Sequence, residues 1–162
     1  MTKKHGTALQ RAGWDRFERD LNKIEALFKD RSFKGEFRMS TFGDHSGDHE
    51  PHEENYCGTE ACLGGWLAVV NPRGFASHWH DGTLSVGGGT FSFESNAERT
   101  YRMNKGFDAL FYDGIGLAGR AALKLKLKHA RLLLAYYRNG ERDEDWTKFT
   151  GFGRTLLGTK RG

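Results

Sequence analysis

At 162 residues, with a formal net charge of +4 and only two prolines, Pro51 and Pro72, the chain has the size of one domain. A domain of that length buries about two-thirds of the surface its unfolded form exposes, and twelve phenylalanines and four tryptophans are ample for the core. No apolar run approaches the roughly 20 residues that cross a bilayer, and Met1 to Arg11 is too polar for the apolar section of a secretory signal, so a cytoplasmic protein with no membrane attachment is expected.

Leu9 to Asp30 reads as an amphipathic helix. Trp14, Phe17, Leu21, Ile24 and Phe28 recur at spacings of three and four with Leu27 beside them, and Arg16, Arg19, Asp20, Lys23 and Glu25 fill the other face. Ser32 to Thr41 alternates loosely through Phe33, Phe37 and Met39, as a strand or an extended lead-in does. Gly43 to Glu54 has no periodicity and reads as an exposed loop, in which His45, His49 and His52 sit among five carboxylates.

The stretch from Asn55 to Val70 reads as a loop entering a buried helix. Thr59, or Cys57 just before it, can cap that helix, with Glu60 in the first turn where the helix dipole favours an acid. From Ala61 to Val70 there is no charged residue, and a helix apolar all round is a buried one. Ala61, Gly65 and Ala68 line one stripe, with Gly64 alongside, so another backbone could approach closely. Each glycine costs roughly 1 kcal/mol in a helix relative to alanine, which close packing would offset. In a reducing compartment Cys57 and Cys62 are not expected to form a permanent disulfide.

Asn71-Pro72-Arg73-Gly74 stops the helix. Phe75 to His80 and Thr83 to Val86, joined by Asp81-Gly82, read as a hairpin, and Thr90 to Phe93 as a third strand, giving a small antiparallel meander. Ser95 or Asn96 can cap a further helix that ends or bends near Gly106, and Phe107 to Gly116 carries a short apolar segment. Leu117 to Asn139 is a long helix with Gly140 as its C-terminal cap. The run from Leu123 to Lys128 alternates as a strand would, but a stripe through Ala118, Ala122, Leu125, Leu132 or Leu133, and Tyr136 favours the helix. The expected architecture is a single α+β domain over residues 1–140, with a buried central helix and amphipathic helices at both ends, followed by a basic, glycine-rich tail over 141–162.

The run Cys57-Gly58-Thr59-Glu60-Ala61-Cys62-Leu63-Gly64-Gly65-Trp66 resembles a pattern in small bacterial and bacteriophage proteins of uncharacterised function. In those, Cys-Gly-Thr is followed by Ala-Cys, a small residue and Gly-Trp or Gly-His. Met39-Ser40-Thr41 upstream looks like their extended lead-in, and Leu110-Phe111 before an Ala-rich final helix is similar in order. The resemblance covers about half the chain and implies an origin in a bacteriophage or mobile element. The His-rich acidic loop and the long hairpin depart from it.

Three chemistries are open. His45, His49, His52, Cys57 and Cys62, with His78 and His80, supply enough imidazole and thiolate for a tetrahedral zinc site, although their spacing matches no standard finger; a solvated polar loop is the plainer reading. Cys57 at a helix N-terminus could be a nucleophile paired with His78 or His80, which a strand would place on one face, with Asp81 or Asp44 orienting the imidazole. Buried thiols, however, are usually small hydrophobes. Third, Lys124, Lys128 and Arg131 fall on one helical face, with Arg120 a turn earlier, Lys126 on the flank, and Tyr136, Tyr137 and the tail bases Arg154, Lys160 and Arg161 nearby, as a polyanion-binding face would have them.

Charge is segregated along the chain: six acids and no Lys or Arg between Thr41 and Asn71, six bases and no acid between Gly114 and Gly140. Such asymmetry marks either a binding face or two surfaces that attract each other within the fold. With no cofactor fingerprint, the sequence favours a non-enzymatic protein that binds a host or viral macromolecule, protein or nucleic acid, through Arg120, Lys124, Lys128 and Arg131. The competing class is a Cys/His-dependent hydrolase or zinc-binding protein centred on Cys57.

Overall fold

A computed structural model describes residues 5–33, 35–38, 60–80, 83–84, 93–104, 106–112 and 117–140. Their order is α1 (Ala8–Lys29), β1 (Glu36–Phe37), β2 (Glu60–Ala61), α2 (Leu63–Val70), a 3-10 turn (Ala76–His78), β3 (Trp79–His80), β4 (Thr83–Leu84), α3 (Phe93–Tyr101), α4 (Phe107–Tyr112) and α5 (Gly119–Arg138).

The fold is mostly helical, which corrects the expectation of an α+β domain with a meander. Among the described residues, strand is confined to two-residue segments: β1 beside β2 in parallel, and β3 beside β4 antiparallel in the register Trp79↔Leu84 and His80↔Thr83. That register fits the hairpin read at Asp81-Gly82. Phe93, assigned to a third strand, instead opens α3, because its ring stacks on Phe75 at 4.8 Å and lies against Phe111 at 5.2 Å. Aromatic burial of this kind outweighs a weak strand propensity.

Helix α1 begins at Thr7, whose hydroxyl accepts the Gln10 N–H at 3.1 Å while the Gln10 side chain accepts the Thr7 N–H at 2.7 Å, a reciprocal capping box. Its buried face carries Trp14, Phe17, Leu21, Ile24 and Phe28, as the spacing predicts. Against that face pack α2, α3 and α5. Phe17 meets Tyr101 at 4.8 Å and Phe107 at 5.5 Å, and Phe28 meets Trp66 edge-on at 5.2 Å.

Helix α2 is the buried segment expected, with Leu63 to Ala68 enclosed, but it starts later. Its N-cap is Cys62, not Thr59 or Cys57, because Glu60 and Ala61 are drawn into the parallel pairing with Glu36 and Phe37. The Trp66 indole N–H donates to the Glu36 carbonyl at 3.2 Å, tying α2 to the same segment. At Gly64 the close neighbour is a side chain, not the backbone expected: an added Cβ would lie 2.8 Å from the Phe93 ring. Helix α5 ends at Asn139, followed by Gly140 at φ +70°, a conformation that glycine adopts without strain.

Candidate binding face on the last helix

The helix resolves the ambiguous run from Leu123 to Lys128. A strand would put its three leucines on one side. In α5, Leu123, Lys126 and Leu127 are buried, Leu125 is half-buried, and Lys124 and Lys128 are exposed. Lys126 therefore leaves the basic flank where the sequence placed it, and Tyr136 is also buried in the core.

The remaining bases divide into two groups. Arg120 donates from Nη1 to the Phe28 carbonyl at 2.7 Å, satisfying an orphan carbonyl in the last turn of α1. Arg131 reaches Glu25 Oε2 at 3.1 Å and Asn22 Oδ1 at 3.2 Å, and Arg138 reaches Asp15 Oδ1 at 2.8 Å and Glu18 Oε2 at 3.0 Å. Such exposed ion pairs contribute about 0.2–1 kcal/mol each, so they orient α5 on α1 more than they stabilise it. The Arg138 hydrogen bond holds the Glu18 carboxyl below its usual range. Burial pushes Glu25 the other way, but the charges of Arg131 and Lys29 outweigh it and the net shift is downward.

Lys124 and Lys128 are the other group. They stand one turn apart, exposed, among the residues that line a groove of about 550 Å³, and pair with no described residue. Ala121, Leu125, Arg131 and Leu132 line the same groove from α5, and Glu25 lines it from α1. Two of the four candidate binding residues thus secure the fold against α1, and two are exposed beside the apolar residues of the groove. The tail bases Arg154, Lys160 and Arg161 lie outside the described residues.

The thiol chemistry fares differently. Cys62, at the N-terminus of α2, is 4% exposed. The Gly64 and Gly65 N–H groups turn toward its sulfur without closing a capping hydrogen bond of ordinary geometry, and the Lys126 charge lies near. Burial outweighs these influences and pushes the thiol pKa up, the opposite of an activated nucleophile. His78 is not on a strand with His80: it closes the 3-10 turn, fully buried, with its ring edge-on to Phe93 at 5.1 Å. Cys57, His45, His49, His52, Asp44 and Asp81 lie outside the described residues. Among the described residues, no three His, Cys, Asp or Glu side chains gather closely enough to hold a metal ion.

A buried polar cluster joins α1, α2 and α3. Asp20, assigned there to the outer face of α1, is 1% exposed. Its Oδ2 accepts from Asn71 Nδ2 at 2.8 Å and from the Tyr101 hydroxyl at 3.0 Å, joining α1 to the end of α2 and to α3. Burial raises the Asp20 pKa against those hydrogen bonds, and burial together with the Asp20 charge lifts Tyr101 well above the usual tyrosine range. The signal was present: Asp20 follows Phe17 by three and precedes Ile24 by four, on the apolar stripe itself.

Among the described residues, no helix is long and apolar enough to cross a membrane. Comparison with protein families, curated proteins and solved structures returns no match.

Proposed function

We propose that this chain is a non-enzymatic binding protein, of bacteriophage or mobile-element origin and acting in the cytoplasm, that engages an anionic host or viral macromolecule through the α5 face. One observation carries the reading: Lys124 and Lys128, exposed one turn apart, line a groove together with Ala121, Leu125 and Leu132 while the neighbouring arginines are already engaged by α1. Most charge runs are solvated faces whose side chains have no shared geometry. Two ammonium groups one turn apart, with no partner among the described residues and beside leucines that remain partly accessible, supply both attraction and area to bury.

The test is fluorescence anisotropy at low salt with labelled polyglutamate and a labelled DNA duplex, on the native chain and on the double variant Lys124→Glu, Lys128→Glu. At least one anion should bind the native chain, weaken steeply with salt, and fail to bind the variant. Neither substitution touches a described partner, so the variant's thermal unfolding should match the native chain. Binding that is unchanged in the variant, or absent for both anions, would overturn the reading.

A further inference from the structure

We infer that the groove's occupant is an acidic amphipathic helix of a partner protein, an inference that rests on the binding role proposed above. Shape is the first argument. From Ala121 through Leu125 to Leu132, the lining residues follow one stripe along α5, about 16 Å at 1.5 Å per residue. A stripe of that length, apolar at Ala121, Leu125 and Leu132, accepts about three turns of a helix laid along it, with apolar side chains at spacings of three, four and seven.

Charge is the second argument. Among the described residues, Lys124, Lys128 and Arg131 share the groove with one carboxylate, Glu25, whose contact with Arg131 uses part of that charge. What remains is two exposed ammonium groups four residues apart along the groove. A helix carrying Asp or Glu at positions i and i+4 presents carboxylates at the same interval, so the two sets meet in register. A nucleic-acid backbone fits less well. Two lysines neutralise about two phosphates, Glu25 opposes a third, and the leucine floor offers a phosphate backbone nothing.

The experiment is selection of random peptides of about 12 residues, displayed on phage, against the native chain and against the double variant Lys124→Glu, Lys128→Glu. The expected sequences carry Leu, Ile or Phe at i, i+4 and i+7, with Asp or Glu on the flanks. As synthetic peptides they should bind the native chain at least about tenfold more tightly than the variant, since reversing two facing charges costs more than 1.4 kcal/mol. A scrambled peptide of the same composition should lose that binding, because it keeps the charge and loses the apolar face. Acidic peptides without apolar periodicity, or a DNA duplex bound where no peptide is selected, would overturn the helix and leave an anion-binding face standing. Peptides retained equally by the variant would overturn both.

Discussion

Replacing Asp20 with alanine removes the acceptor that joins three helices, and the cost follows from the geometry. Two hydrogen bonds end on one carboxylate oxygen, at 2.8 Å from Asn71 and 3.0 Å from Tyr101, and the carboxylate is 1% exposed. Water cannot readily replace it, so both donors stay buried without an acceptor, at about 1–3 kcal/mol each. Relief of the carboxylate's own burial, which the upward pKa shift reports, offsets part of this. The expected net loss is about 2–4 kcal/mol, which lowers the melting temperature by about 5–15 °C in a chain of this length.

Asp20→Asn keeps the shape and one acceptor oxygen, and should cost about 1 kcal/mol at neutral pH. Its value is in the pH dependence. Because the folded-state pKa of Asp20 lies above the ordinary 3.8, the folded chain holds this proton more tightly than the unfolded chain does. That contribution is complete below 3.8 and is lost as pH rises through the folded-state value. Glu18 and Glu25, with lowered values, act in the opposite sense: their contribution is present above 4.5 and disappears as pH falls. Comparing native chain and Asn variant by thermal unfolding cancels the glutamates, and the native chain should gain on the variant as the pH is lowered through the Asp20 window. An Asp20→Ala variant that melts with the native chain, or a native-minus-Asn difference that is flat in pH, would refute the reasoning.

Gly13→Ala should destabilise the chain although alanine is the better helix former by about 1 kcal/mol. The added Cβ would lie 2.6 Å from the Tyr101 carbonyl oxygen, a backbone atom that cannot rotate away, so urea unfolding should show a net loss of about 1–2 kcal/mol, and a stabilised variant would contradict the close α1–α3 approach. In a Cys57→Ser background, Cys62 should react with iodoacetamide at least about tenfold more slowly than a simple thiol at the same pH, and at the simple-thiol rate in denaturant, because burial both raises its pKa and blocks access. A native rate equal to that of the simple thiol would place the sulfur in a working site.

Local pattern in the sequence was enough to place α1, α5 and the buried character of α2, because helical periodicity acts over a few residues. Tertiary structure alone moved the start of α2 to Cys62, since the competing pairing of Glu60 and Ala61 comes from residues more than twenty positions earlier. It also turned Phe93 from a strand into a helix start, through rings that no local window contains. The binding face shows the same division. Spacing put Arg120, Lys124, Lys128 and Arg131 on one side of a helix, but only the docking of α5 on α1 decided which of them it engages and which have no partner among the described residues. A charge is available or spent according to what lies across from it in space, and the order of residues along the chain does not carry that information.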